Sequence, residues 1–224
     1  MAKCVIAIAL ALATAKTFPQ PNATVPSALL TEVGRSPMEF AVVLAEAAVP
    51  SGLEIKEPGD LRSRPVRFVD ADFTKKIPAN QLTAAFNAQH SDYRAVSLNG
   101  VVVIRPLEGR AAFLDQPSAI TSPVSITGRM AAARRVFAPL DPGLLGVVLN
   151  SLGYEGEDEP IVLDGAAGRS VIDTLNEIVT QSPSAWQVTT RKQGDAQRVV
   201  AFGFIRRDGS GTTVSLRQQP GMRH

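Results

Sequence analysis

Three short stretches carry residue types that could do chemistry. The first is "QHSDY" at 89–93, where His90, one of only two histidines, stands beside Ser91 and Asp92, with Arg94 just beyond. A hydrolase needs a nucleophile, a base and an orienting acid that converge in space. Neighbours in sequence at a helix end point in different directions, so this cluster reads first as a polar helix C-terminus, with His90 suited to the negative end of the dipole. The second is "DGAAGRS" at 164–170, which puts glycines and Arg169 at a helix start, where exposed N–H groups can hold an anion. It lacks the lysine and spacing of a phosphate loop, and Ser170 or Asp164 serves as a plain helix cap. The third, "EGEDEP" at 155–160, concentrates acid without the alternating ligand register and central glycine of a calcium loop, and reads as a solvated loop. His224 is the last residue, so a zinc site would have to be completed by carboxylates. No catalytic, metal or cofactor-binding residue is assigned on these grounds, and no cofactor is expected. His90, Asp92, Arg94, Arg169 and Ser170 stand as an alternative: a small-ligand or enzyme pocket at a junction between halves of the chain.

The bulk composition narrows the classes further. The 224 residues carry a formal charge of +2, with basic residues scattered as Arg62, Arg64, Arg67, Lys75, Lys76, Arg134, Arg135, Arg206 and Arg207. A nucleic-acid binder would gather such charge on one face, so none is expected as a partner. Hydrophobic residues at 45% allow a real core, and aromatics at 5% leave that core to Val, Ile, Leu and Ala.

The first residues, "MAKCVIAIALALATA", combine Lys3, an apolar run and the small-x-small ending Ala13-Thr14-Ala15, the layout of a signal peptide cleaved after Ala15. The run is shorter than the roughly 20 residues of a membrane span. After cleavage the chain loses Cys4, its sole cysteine, and with it any disulfide or thiolate site. The expected location is periplasmic or secreted, with no stable membrane span.

Elements follow from pattern and punctuation. Residues 16–36, rich in proline, read as a linker. Ser36, Pro37 and Glu39 begin a helix with Phe40, Val43, Leu44 and Ala47 on one face. "GLEIKE" and "RPVRFVDAD" read as strands, and 78–89 as a second helix. Asn99-Gly100 then turns a hairpin, 93–106, that ends at Pro106. Residues 107–123 read as a connector. "VSITGRM" suggests a strand, "AAARRVFAPL" is ambiguous, and "DPGLLGVVLNSLG" repeats the proline-started helix. Strand, helix and hairpin recur over "EPIVLDGA", "GRSVIDTLNEIVTQ" and "AWQVTTRKQGDAQRVVAFGFI". Laid without gaps, Phe68 falls against Ile161, Leu82 against Leu175, Phe86 against Val179 and Tyr93 against Trp186. The fold expected is α+β, as two small two-layer modules, each with a strand–helix–strand–strand core and a preceding helix. They span 37–106 and 124–217, with a tail at 218–224.

The run "LTAAFNAQ" followed by "DYRAVSLNGVVVIRP" resembles the secretin and TonB short N-terminal domain and the related secretin N-domains. The likeness is best over 65–106 and weaker over 160–206. It implies a small α+β fold, no catalytic residue, and a role in protein–protein contact in a cell envelope, linked to a secretion or outer-membrane assembly. The chain departs from that family in carrying no secretin pore, barrel or plug segment. The apolar run Val199, Val200, Ala201, Phe202, Gly203, Phe204 and Ile205 is the candidate partner-contact strand, provided it lies at a sheet edge. The expected partner is a protein of the envelope, and self-association is left open.

Overall fold

The computed structural model describes residues 24–26, 36–56, 76–139, 159–182, 184–193 and 196–205. The leader at 1–15, the expected strand at 64–72, the helix at 141–152 and the tail lie outside the described residues.

The local signals act as physical chemistry dictates. Helix α1 (Pro37–Glu46) starts where Ser36, in extended conformation, accepts the Glu39 N–H, and Pro37 fits the first turn, where its missing donor costs nothing. Helix α2 (Ala79–Gln89) leads into β4 (Tyr93–Leu98) and β5 (Val101–Pro106). The turn between them holds Asn99 at φ 51° and Gly100 at φ 82°, the pair of positive values that a tight I′ hairpin needs. The ambiguous run around Arg134 is helix α3 (Arg129–Phe137), which buries Met130, Ala133, Val136 and Phe137. Helix α4 (Val171–Gln181) opens with a full capping box between Ser170 and Asp173. It is followed by the long hairpin β8 (Ala185–Gln193) and β9 (Ala196–Ile205).

Helices and a mixed sheet make this an α+β protein, as the sequence suggests. The arrangement differs from two separate modules. Both hairpins join one five-stranded sheet, ordered β4-β5-β2-β8-β9, through the short strand β2 (Ser51–Ile55). β2 runs parallel to β5 on one side and to β8 on the other, with Leu53 opposite Ile104 and Gln187. Its residues are buried along its whole length, and a Cβ at Gly52 would overlap the Trp186 indole. Only a glycine lets that ring lie flat across the central strand. The expectation failed because period-2 patterning reports which face a residue takes, while the lateral neighbour of a strand is set by backbone bonds that leave no mark in side-chain type.

The sheet has a core on each face. β5 shows the division: Val102 and Ile104 join Phe40, Leu44, Leu82 and Phe86 under α1 and α2, and Val101 and Val103 join Met130, Phe137, Leu175 and Ile178 under α3 and α4. A strand covered on both faces reads as an unbroken apolar run, which is what "VVVI" is. The presumed connector is part of the second core: Ala111, Phe113, Leu114 and Ile120 are buried there, around a 3-10 turn at Ala112–Asp115.

A helix followed by an antiparallel hairpin occurs twice among the described residues. Two-stranded antiparallel pairs accompany each copy: β1 (Thr24–Pro26) with β3 (Lys76–Pro78), and β6 (Val124–Thr127) with β7 (Pro160–Leu163). The run α2-β4-β5 answers in order to α4-β8-β9. Leu82 and Leu175, Phe86 and Val179, Tyr93 and Trp186 are all buried, while Phe68, the partner assigned to Ile161, lies outside the described residues. The copies are inverted relative to each other. β4 runs antiparallel to β5 and hence to β2, whereas β8 runs parallel to β2, and α2 and α4 cover opposite faces. The segment 16–36, read as a linker, contributes β1.

Candidate functional site

The densest polar constellation lies at the start of α4. β7 ends with Leu163 buried, and the chain turns at Gly165, with φ 63° and packed so closely on the Ser122 backbone that a side chain would collide. The following loop is pinned from outside: Ser118 donates its N–H to the Arg169 carbonyl at 2.7 Å, and Val171 N–H reaches the Gln116 carbonyl at 2.9 Å. Arg169 then folds back over its own loop. Its Nη1 donates to Asp164 Oδ1 at 2.6 Å and Glu177 Oε2 at 2.8 Å, and its Nη2 to the Asp173 carbonyl at 3.1 Å. Glu177 Oε1 also accepts the Asp164 N–H at 3.2 Å.

Charge and burial compete here. Burial raises the Glu177 carboxyl above its ordinary value, with the Asp164 charge adding to it; the Arg169 charge pulls the other way and loses. Burial alone would lower Arg169, yet its hydrogen bond to Asp164 and the nearby charges of Glu177 and Asp164 carry it upward. Both values rise, which favours the charged form of Arg169 and the neutral form of Glu177.

Beside this network opens a cavity of about 420 Å3, lined by Asn99 and Val101 from the first hairpin and by Asp164, Arg169, Asp173, Asn176, Glu177 and Thr180 from the second half. A pocket between halves was the alternative reading of the sequence, and of its five residues Arg169 is the one that lines this space. Ser170 is committed to capping, its hydroxyl accepting the Asp173 N–H at 3.2 Å. His90 belongs to the opposite face, stacked on Phe86 at 4.2 Å with its Nε2 buried and without a hydrogen bond, and Asp92 and Arg94 are exposed. The anion-site reading of 164–170 is also corrected: Arg169 is spent on carboxylates, and the Asp173 side chain already sits at the helix N-terminus. Sequence reasoning missed Asn99, Asp173, Asn176, Glu177 and Thr180. The last four fall at helical spacing within "VIDTLNEIVTQ", a polar stripe beside the buried Leu175 and Ile178, and that stripe was the available signal.

A second arginine, Arg105, also bridges two acids. Its Nε donates to Glu54 Oε2 at 2.7 Å, and its two terminal nitrogens reach both oxygens of Asp115 at 2.6 and 3.0 Å. Glu54, fully buried, accepts the Ala111 N–H as well. Among the described residues no group of three His, Cys, Asp or Glu could hold a metal ion.

The sheet has two edges. At β4, Asn87 reaches across to accept the Ala95 N–H at 2.8 Å and donate to its carbonyl at 2.9 Å, so a side chain occupies the outward backbone groups there. At the other edge, the candidate contact strand 199–205 is part of β9, which among the described residues pairs only with β8. A bulge places Val200 between the pairs Thr189–Ala201 and Thr190–Val199. Phe202 and Phe204 are buried side chains of the α3/α4 core, and Ile205 turns to the other face. β9 is therefore an edge strand in its backbone and a core strand in its side chains.

Comparison with protein-family models, curated proteins and solved structures finds no match for this chain. Among the described residues no helix is long and apolar enough to cross a membrane.

Proposed function

We propose that the chain is an exported, non-enzymatic protein of the cell envelope that works by protein–protein contact, accepting an extended segment of a partner along β9. The observation that carries this reading is the contrast between the edges: β4 has a side chain guarding its backbone, and the ten-residue β9 has none among the described residues. Strand addition takes its affinity from main-chain hydrogen bonds, which an unguarded edge offers, and needs no convergent catalytic set. The leader-like residues 1–15 and the likeness to secretin and TonB short N-terminal domains support the envelope setting.

The test is site-specific photo-crosslinking in the host envelope. A photoreactive residue at Ala201, on β9, should give a discrete protein adduct that the same residue at the exposed Gln81 of α2 does not. Equal labelling at both positions, or no adduct at Ala201, would count against strand addition.

A further inference from the structure

The turn end of the β8–β9 hairpin carries positive charge that the described residues do not balance. Register sets Arg191 directly opposite Arg198, and Lys192 opposite Gln197. Arg191 and Lys192 are exposed, and among the described residues neither forms an ion pair. Neither strand, "AWQVTTRKQ" or "AQRVVAFGFI", contains an acidic residue, and Asp195 between them is one acid against three cations. Like charges directly opposite on neighbouring strands are destabilising. The sheet holds another such pair, Arg94 opposite Arg105, and there the charge is met: Arg105 is bonded to Glu54 and Asp115. The Arg191–Arg198 pair has no such acid among the described residues, and it immediately precedes the run 199–205 on the edge strand.

We infer that the segment added along β9 is an acidic one, an extended protein strand whose carboxylates come to the Arg191–Arg198 end of the hairpin. Main-chain hydrogen bonds along 199–205 supply affinity that almost any extended sequence can share. The uncompensated charge supplies the choice among partners, drawing carboxylates in and turning ammonium groups away. The inference rests on the strand-addition reading and adds to it the chemistry of the partner.

The probes are a capped peptide of alternating threonine and valine with a pair of glutamates at each end, and its counterpart with lysines in their place. Titrated into the full chain and followed by amide exchange, the glutamate peptide should protect 199–205 saturably. At about 20 mM salt it should bind at least about tenfold tighter than the lysine peptide, and the difference should shrink toward about 0.5 M salt. Arg191→Gln combined with Lys192→Gln should weaken the glutamate peptide by about threefold or more. The same variant should leave the urea midpoint of the chain unchanged or higher, because it removes a like-charge contact. A lower midpoint with unchanged peptide affinity would make the pair structural and overturn the inference. Equal protection by both peptides would overturn the acidic partner while leaving strand addition standing, and protection by neither would overturn both. Tighter binding of a thymidine oligonucleotide than of the glutamate peptide would reassign the charge to nucleic acid. Protection of 199–205 that rises with the concentration of the chain alone would make a second copy the occupant, and either result overturns the inference.

Discussion

Arg105 and Arg169 keep nearly the same company, each bound to two carboxylates at hydrogen-bonding distance, yet they do different work. Arg105 ties the central strand β2, its own strand β5 and the 3-10 turn into one unit, and its partner Glu54 is out of water altogether. Arg169 ties a loop to the helix that follows it, with Asp164 half exposed, and forms the wall of a cavity. The same side chains become a structural clamp where burial removes the alternative of water, and a solvent-reaching polar surface where it does not. What distinguishes them is how many elements would separate if the arginine were lost.

That contrast can be broken most visibly at Arg105. Arg105→Met should cost about 3–5 kcal/mol in urea unfolding, because it strands the Glu54 charge in the core. Adding Glu54→Gln should restore a large part, on the order of 2 kcal/mol, since the amide oxygen still accepts the Ala111 N–H and the one charge left unpaired, Asp115, is half exposed to water. Failure of the second substitution to rescue would mean that the clamp acts through shape and not through charge. Arg169→Met should cost only about 1 kcal/mol or less after solvent screening, as expected of a pair with one half-exposed acid. A loss as large as that at Arg105 would erase the distinction between the two sites.

The smallest effect is on pH dependence. Glu177 holds its proton more tightly folded than unfolded, so between the ordinary glutamate value and its raised value the native state binds more protons. Its contribution to stability therefore falls as pH rises through that window and is flat on either side. Comparing urea midpoints across pH for the native chain and Glu177→Gln isolates this slope, which the variant should lack. A slope of the opposite sign would mean that Arg169 outweighs burial.

Much of the local structure was legible in the residues. Ser36-Pro37, Asn99-Gly100 and the Ser170 cap each act through bonds within a few residues, so their types report their conformations directly. The repeat was visible as Leu82 with Leu175 and Phe86 with Val179, because burial on a helix face leaves a periodic trace. What could not be read was association at a distance. Nothing in "SGLEI" announces that it seats both hairpins, since Gly52 is explained only by the Trp186 ring some 130 residues away. The cavity was half legible: Arg169 was named for its place at a helix start, while Asn99 was read only as a turn residue. His90, chosen for its rarity, proved to be a ring stacked on Phe86.

The reading of β9 as the contact edge is tested most directly by amide hydrogen exchange on residues 199–205, in the isolated chain and in the envelope fraction. In the isolated chain alternate amides of β9 should exchange quickly, as outward N–H groups at an open edge do, and the Ala95 amide, held by Asn87, should be protected. In the envelope the fast β9 amides should become protected while Ala95 is unchanged. Protection of all β9 amides in the isolated chain, or continued fast exchange in the envelope, would contradict it.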